Sequence, residues 1–326
     1  MEKKKVCVLA TGGTIASEPG ADGLCPALTG ERLTAMVPEL SRIAECSCAE
    51  LLQLDSSNLL PEHWQMMARA VAERYDACDG FVITHGTDTM AYTAAALYYM
   101  LVNLGKPVVL TGSQLPIEEP GTDAVQNLLL ACKTAVSGRA GVWLAFGGRV
   151  ISGNAARKLR SMQLEAFGSV AGPEAALWKA GNLCWQLPAE LPAGSFGLQE
   201  KLDDRVAVLK LTPGVSPELL KLMVDAGYHG IIIEGYGLGG VPNEASPLNF
   251  LPALDYAAVH GTIVVCATQC VFDGVRLDCY EMGVLAMRHG AIPGGKLSVD
   301  ALVPRLMQLL AVTREHDAIA RMLAGS

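Results

Sequence analysis

Several common handles on function are missing from this chain. No apolar run is long enough to cross a membrane: the longest candidate, Ala94 to Val102, is ended by Asn103 and Lys106. There is no C-x-x-C and no H-E-x-x-H, only Cys46-x-Cys48 and Cys266 four residues before Cys270, so no metal site is expected. There is no G-x-S-x-G, and the six histidines stand apart, which excludes a serine elbow of the usual kind. Basic runs are limited to Lys3-Lys4-Lys5 in a chain of formal net charge -8, which argues against nucleic acid as a partner. A small anionic or zwitterionic ligand remains open, through local dipoles and backbone amides. Fixed-period repeats and low-complexity segments are absent too.

The ten cysteines fall mostly within expected strands and helices, as at Cys7, Cys132 and Cys266, which suits a reducing compartment better than a disulfide framework. Met1-Glu2-Lys3-Lys4-Lys5 leads straight into an apolar strand without the pattern of a secretory signal. A cytoplasmic location is expected.

What is present is a repeated strand ending. Val6-Cys7-Val8-Leu9-Ala10 runs into Thr11-Gly12-Gly13-Thr14-Ile15, and Phe81-Val82-Ile83-Thr84 runs into His85-Gly86-Thr87-Asp88-Thr89. Val108-Val109-Leu110 is followed by Thr111-Gly112-Ser113-Gln114, and Leu51-Leu52-Gln53-Leu54 by Asp55-Ser56-Ser57-Asn58. Four short apolar strands thus finish in hydroxyls, small residues and a carboxylate. Alternating strand and helix patterns favour a parallel sheet, which would gather these ends along one edge. In open α/β sheets ligands collect outside the carboxyl ends of the strands, so one site is implied there.

At 326 residues the chain suits one large domain or two. Helices are expected from Pro61 to about Ala77, from Met90 to Asn103 and from Asp123 to Val136, and Trp143 to Ile151 reads as a hairpin split by Gly147-Gly148. The span 186–204, rich in proline and glycine, reads as a linker. It separates an N-terminal domain, 1–185, from a smaller α/β domain, 205–326. The second domain shows strands at Val206 to Leu211, Ile231 to Ile233 and Thr262 to Cys266, with helices near Pro217 to Ala226 and Leu248 to His260. The fold class is α/β: a mostly parallel sheet in the larger domain and a Rossmann-like second one.

Gly235-Tyr236-Gly237-Leu238-Gly239-Gly240 matches the dinucleotide fingerprint G-x-G-x-x-G, but Pro242 and Asn243 interrupt the helix that should open there. A loop or interface turn is the expected reading, and no cofactor is assigned. A hydrolase built on this edge would use threonine as nucleophile, with a neighbouring base and an oxyanion site to activate it. Thr87 and Asp88 supply a hydroxyl and a carboxylate, and Lys158, after Gly153-Asn154, is a candidate cation returning to the same edge.

Thr11-Gly12-Gly13-Thr14-Ile15-Ala16 and Asp79-Gly80-Phe81-Val82-Ile83-Thr84-His85-Gly86-Thr87-Asp88-Thr89-Met90 resemble the two signatures of the bacterial L-asparaginase family. Further similarity runs through Asp55-Ser56-Ser57, Thr111-Gly112-Ser113-Gln114, Thr122-Asp123-Ala124, Pro213-Gly214-Val215-Ser216 and Thr268-Gln269-Cys270. The Asp-Ser-Ser form suits the cytoplasmic, type I branch. The resemblance implies hydrolysis of L-asparagine to L-aspartate and ammonia through an acyl-threonine. By that analogy Thr14 attacks the amide, Thr87 with Lys158 and Asp88 forms a second hydroxyl relay, and Ser56 and Ser57 hold the α-carboxylate. Asp88 pairs with the α-ammonium, and Asp55 and Ser113 complete the pocket. Asp88 beside Lys158 favours a charged lysine, whereas proton abstraction requires a neutral one, so burial or substrate must offset the pairing.

Two departures stand out. Many relatives carry a tyrosine in the loop after the first strand, where this chain has Gly23-Leu24-Cys25-Pro26, so the loop reads as an apolar lid and Tyr280 as a substitute phenol. Glu234 lies where relatives with a regulatory asparagine site near Cys270 carry an arginine, so allostery is not expected. The resemblance also implies a homodimer or homotetramer. Glutaminase activity, the ammonia-producing subunit of a transfer-RNA-dependent amidotransferase, and a non-catalytic amino-acid binding module are the competing readings. The amidotransferase subunit carries an extra N-terminal domain, whereas the first strand here begins by Val6.

Overall fold

A computed structural model of the chain describes residues 3–21, 23–189 and 191–325. Two compact units divide at residue 200, each with its own sheet. The first unit contains, in chain order, β1 (Lys5–Gly12), β2 (Ser17–Gly20), β3 (Gly23–Pro26), α1 (Gly30–Ala35), α2 (Leu40–Ile43), β4 (Glu45–Leu54), α3 (Pro61–Glu73), β5 (Gly80–Thr84), α4 (Met90–Met100), β6 (Leu101–Val102) and β7 (Pro107–Thr111). It continues through α5 (Ala124–Ala135), β8 (Gly141–Phe146), β9 (Arg149–Ser152), β10 (Ala156–Lys158), β11 (Phe167–Ser169), β12 (Ala176–Lys179), β13 (Asn182–Trp185) and β14 (Gly197–Leu198).

Eight of these strands form one sheet in the order β13-β12-β9-β8-β7-β5-β1-β4. The pairs from β4 to β8 are parallel, and β9, β12 and β13 add antiparallel pairings at the other side. The central strands are apolar on both faces because helices cover both: β5 is buried at all five positions, and so is β7. Val6, Val8, Val82 and Val109 face one layer with Leu128 and Ala131 of α5, while Leu9, Phe81 and Ile83 are wholly buried as well. Trp143 to Ile151 forms the expected hairpin, with Phe146 opposite Arg149.

Two elements differ from the sequence expectation. The helix from Met90 stops at Met100, because Leu101 and Val102 extend and pair with Leu198 and Gly197. The same pairing ties residues 197–199 of the span expected as a linker to the first unit, with Gln199 N–H donating to the Met100 carbonyl at 2.8 Å. The helix from Pro61 ends at Glu73, four residues early, in turns through Arg74 to Ala77.

The second unit is a four-stranded parallel sheet, β15 (Val206–Lys210), β16 (Gly230–Gly235), β17 (Ile263–Thr268) and β18 (Ala291–Pro293), in sequential order. Its helices are α6 (Glu218–Asp225), α7 (Leu251–Val259), α8 (Glu281–Arg288), α9 (Val299–Leu310) and α10 (His316–Ala324). Ile231, Ile233, Val264 and Cys266 form its core with Phe250 and Leu254. No helix among the described residues is long and apolar enough to cross a membrane.

Because β5 is closed in on both faces, its core has little room to relax around a void. Ile83→Ala is therefore expected to destabilise the first unit by about 2–5 kcal/mol, read from the urea midpoint by circular dichroism, whereas a loss below about 1 kcal/mol would show that the layer collapses onto the gap.

Candidate functional site

The four strand endings meet at the carboxyl edge of the large sheet. Gly13, with φ of 79°, lies so close to the next strand's exit that a Cβ there would stand 2.3 Å from the Gly86 nitrogen. A Cβ on Gly86 would in turn stand 2.6 Å from the Ser56 hydroxyl oxygen. Glycine is required at both places because backbone packs directly on backbone or hydroxyl. Gly13 N–H donates to the Leu54 carbonyl at 3.1 Å, and His85 N–H to the Thr111 carbonyl at 2.8 Å, which ties in the remaining exits.

Thr14 follows this contact in a single helical turn, Thr14–Ala16, half-buried between the buried Gly13 and Ile15. Among the described residues its hydroxyl engages no hydrogen bond. Thr87 is buried and fully engaged: Lys158 Nζ donates to Thr87 Oγ1 at 2.7 Å, and the hydroxyl donates to Gln114 Oε1 at 3.3 Å. Lys158 Nζ also donates to Asp88 Oδ1 at 2.7 Å. The lysine side chain is 17% exposed and the aspartate side chain 58%, so one partner is sheltered and the other faces solvent. A pair with one solvated partner is screened and worth little to stability. Its consequence is geometric: Lys158 fixes the Thr87 oxygen and one carboxylate oxygen at a single nitrogen.

The lysine arrives from a short antiparallel pairing, with Lys158 of β10 opposite Phe167 of β11. Ser56 is buried and accepts Asp88 N–H at 3.2 Å, while its carbonyl accepts the Thr89 hydroxyl at 2.8 Å. Ser57 Oγ donates to Asp88 Oδ2 at 3.5 Å, and Asp55, exposed, accepts Ser57 N–H at 2.8 Å. The Ser113 hydroxyl is turned into its own loop, where it donates to the Leu115 carbonyl. Asp55, Ser56, Ser57, Thr87, Asp88 and Lys158 are thus drawn into one bonded group, with Thr14 joined to it through Gly13. Tyr280 belongs to the second unit, exposed at the N-cap of α8. Leu24 pairs with Pro19 in the β2–β3 hairpin and is exposed.

Two contributions carried no role in the sequence reading. Gln114, already visible in Thr111-Gly112-Ser113-Gln114, bridges Thr87 to the carbonyls of Ser161 and Gln163, with Nε2 donating at 3.0 and 3.1 Å. Asp123 holds that loop by accepting the Gln114 and Leu115 amides. The second is the backing of His85, which is wholly buried. Its Nδ1 donates to the Gly86 carbonyl at 2.6 Å, and its Nε2 accepts the Thr93 hydroxyl at 2.9 Å, whose oxygen accepts Trp64 Nε1–H at 3.1 Å. A carbonyl only accepts, so Nδ1 carries a proton, and burial, which disfavours charge, keeps the ring neutral with Nε2 free to accept. A tie on the Gly86 carbonyl fixes the peptide that leads into Thr87.

The fingerprint-like Gly235 to Gly240 closes on itself: Tyr236 N–H donates to the Gly240 carbonyl, and the Gly239 and Gly240 amides both donate to the Tyr236 carbonyl. The next helix begins only at Leu251. Glu234 is buried and paired with Lys210 at 3.2 Å, and Cys270 is exposed.

Comparison with known proteins settles the lineage. The family described as asparaginase, N-terminal, matches residues 5–190, and the glutaminase/asparaginase C-terminal domain matches residues 205–323. The chain belongs to the asparaginase family. An L-asparaginase of Thermococcus kodakarensis is 38% identical over 98% of this chain and 96% of its own length. One component of the glutamyl-tRNA(Gln) amidotransferase of Pyrococcus abyssi is 35% identical, over 98% of this chain and 75% of the relative. The crystal structure of L-asparaginase I from Vibrio cholerae superposes with a TM-score of 0.87 at 32% identity, covering 98% of this chain and 97% of that one.

Burial lowers the His85 pKa from 6.5 to about 4, with the bond to Gly86 opposing. Between those values the unfolded chain binds a proton that the folded chain does not, so stability falls as pH drops through this window and levels off below it. The loss from this group is about 3 kcal/mol. Urea unfolding at stepped pH should show it in the wild type and not in His85→Gln; an equal decline in both would assign it elsewhere.

Proposed function

We infer that this asparaginase-family chain hydrolyses L-asparagine to L-aspartate and ammonia, with Thr14 as the nucleophile of an acyl-enzyme. The single observation carrying this reading is the Lys158 nitrogen bound at 2.7 Å to both Thr87 and Asp88, on the strand exit against which Gly13, next to Thr14, is packed. Thr14 attacks the side-chain amide carbon, and ammonia leaves. Water then attacks the acyl ester, the bond to Thr14 breaks to release aspartate and restore the hydroxyl, and Thr87 with Lys158 and Asp88 relays the protons. Asp88 receives the substrate's α-ammonium, which competes with Lys158 for the carboxylate and loosens the pair that holds the lysine as a donor. Ser56 and Ser57 meet the α-carboxylate, and Asp55 and Ser113 shape the pocket. A zwitterion with an amide side chain needs this mixture of one carboxylate and several hydroxyl donors. Tyr280 is proposed as the phenol that stands in for the tyrosine absent at Leu24.

Ten free thiols support a cytoplasmic location. Assembly as a dimer or dimer of dimers belongs to the same reading, and the exposed Leu222, Val259 and Phe272 of the second unit offer apolar surface for it.

The relative in an amidotransferase keeps one second reading in view, ammonia production for a partner. Ammonia release from free asparagine by the purified chain alone separates the two. Thr14→Ala and Thr87→Ala, each with the wild-type far-UV spectrum, should lose at least about a thousandfold in kcat, and full activity in Thr14→Ala would refute the nucleophile. Glutamine should turn over about 10–200-fold less efficiently in kcat/KM, the range one methylene commands in a pocket; a ratio favouring glutamine would reassign the substrate. Unchanged turnover in Tyr280→Phe removes the tyrosine from the list.

A further inference from the structure

Away from the strand exits, two thiols from distant parts of the sequence face each other. Cys46 lies on the edge strand β4 and Cys132 on α5, with their sulfurs 3.8 Å apart. Cys46 is half-buried and lines a surface cavity of about 810 Å³ with Thr34, Pro38 and Ala44, while Cys132 is buried behind it and does not line that cavity. A solute entering from solvent therefore meets Cys46 before Cys132, with Cys48 on the same cavity wall. Lys3, Glu31 and Glu45 lie along the same rim.

We propose that Cys46 and Cys132 form a peroxide-responsive thiol pair, in which Cys46 is oxidised first and Cys132 resolves it as an intramolecular disulfide. The Cys46 sulfur, as thiolate, attacks one oxygen of hydrogen peroxide; the O–O bond breaks, the leaving hydroxide takes up a proton as water, and Cys46 becomes a sulfenic acid. The Cys132 sulfur then attacks that of Cys46, the S–O bond breaks, and the hydroxyl departs as water with the thiol proton. Two thiols lose two electrons and one peroxide becomes two waters.

Access directs the order, since Cys46 lines the cavity and Cys132 does not, and the electrostatics agree. The contact between the two thiols draws the Cys46 pKa down, against burial, and with burial pushes Cys132 up. Cys48, two residues along the same strand face, is pushed up by burial and has its thiol against Thr34 Oγ1 at 3.5 Å. A thiolate is the nucleophile, so Cys46 is set apart from its neighbours. Closing the sulfurs to a bonding distance of about 2.05 Å is a short movement for side chains on an edge strand and a helix surface.

Peptide mapping of the native chain after hydrogen peroxide treatment tests the pair. Supporting results are a mass loss of about 2 Da carried by one disulfide between residues 46 and 132, and a dimedone adduct on Cys46 when Cys132→Ala is treated alike. Before oxidation, Cys46 should be alkylated roughly tenfold faster than Cys48 at neutral pH. Wild-type Cys46 and Cys132 remaining thiols while other cysteines oxidise, or Cys46 over-oxidising without a link, would overturn the proposal. The wild-type map needs no variant to fold.

Discussion

Backbone contact between Gly13 and Gly86 is the constraint on which the site depends. Neither residue could carry a side chain, since added carbons would fall 2.3 Å from a backbone nitrogen on one side and 2.6 Å from a serine oxygen on the other. The contact forces the exits of β1, β4 and β5 into one place, and each exit then delivers a hydroxyl or a carboxylate. Parallel pairing supplies the common direction: Ala10 stands opposite Thr84, and Thr84 opposite Thr111. The rigid layers on both faces keep that edge fixed, which is what a nucleophile and its relay need if geometry is to carry much of the barrier.

Within this frame the two threonines differ sharply. Thr87 gives its proton toward Gln114 and receives one from Lys158, so its oxygen is oriented on both sides. Thr14 is tied to nothing comparable among the described residues and can turn toward a ligand. The lysine is sheltered while Asp88 stays partly in solvent, which leaves its carboxylate open to a ligand. The imidazole of His85 works from behind, through a carbonyl, and its burial keeps it neutral.

Much of this was legible because it is local. Apolar runs ending in Thr-Gly-Gly-Thr and His-Gly-Thr-Asp announce buried strands with chemical exits, and Lys158 follows a hairpin that Gly147-Gly148 marks plainly. What escaped the sequence reading depends on partners far along the chain. The pairing of Leu101 and Val102 with Gly197 and Leu198 cuts a helix short, yet nothing within either segment signals it. Cys46 and Cys132 lie 86 residues apart and meet only through the packing of α5 on the sheet. Gln114 was visible as a residue but not as a bridge, because its partners at Ser161 and Gln163 belong to an irregular loop. The Gly235 to Gly240 run shows the reverse: a fingerprint in letters whose amides close on the turn itself.

The most direct measurement is mass-spectrometric mapping of the enzyme quenched in acid during turnover of an asparagine analogue with slow deacylation. An acyl ester on Thr14, absent in Thr14→Ala and persisting in Thr87→Ala, is the expected result. An adduct on any other side chain, or turnover with no covalent species at all, would contradict the assignment of Thr14 as the attacking hydroxyl.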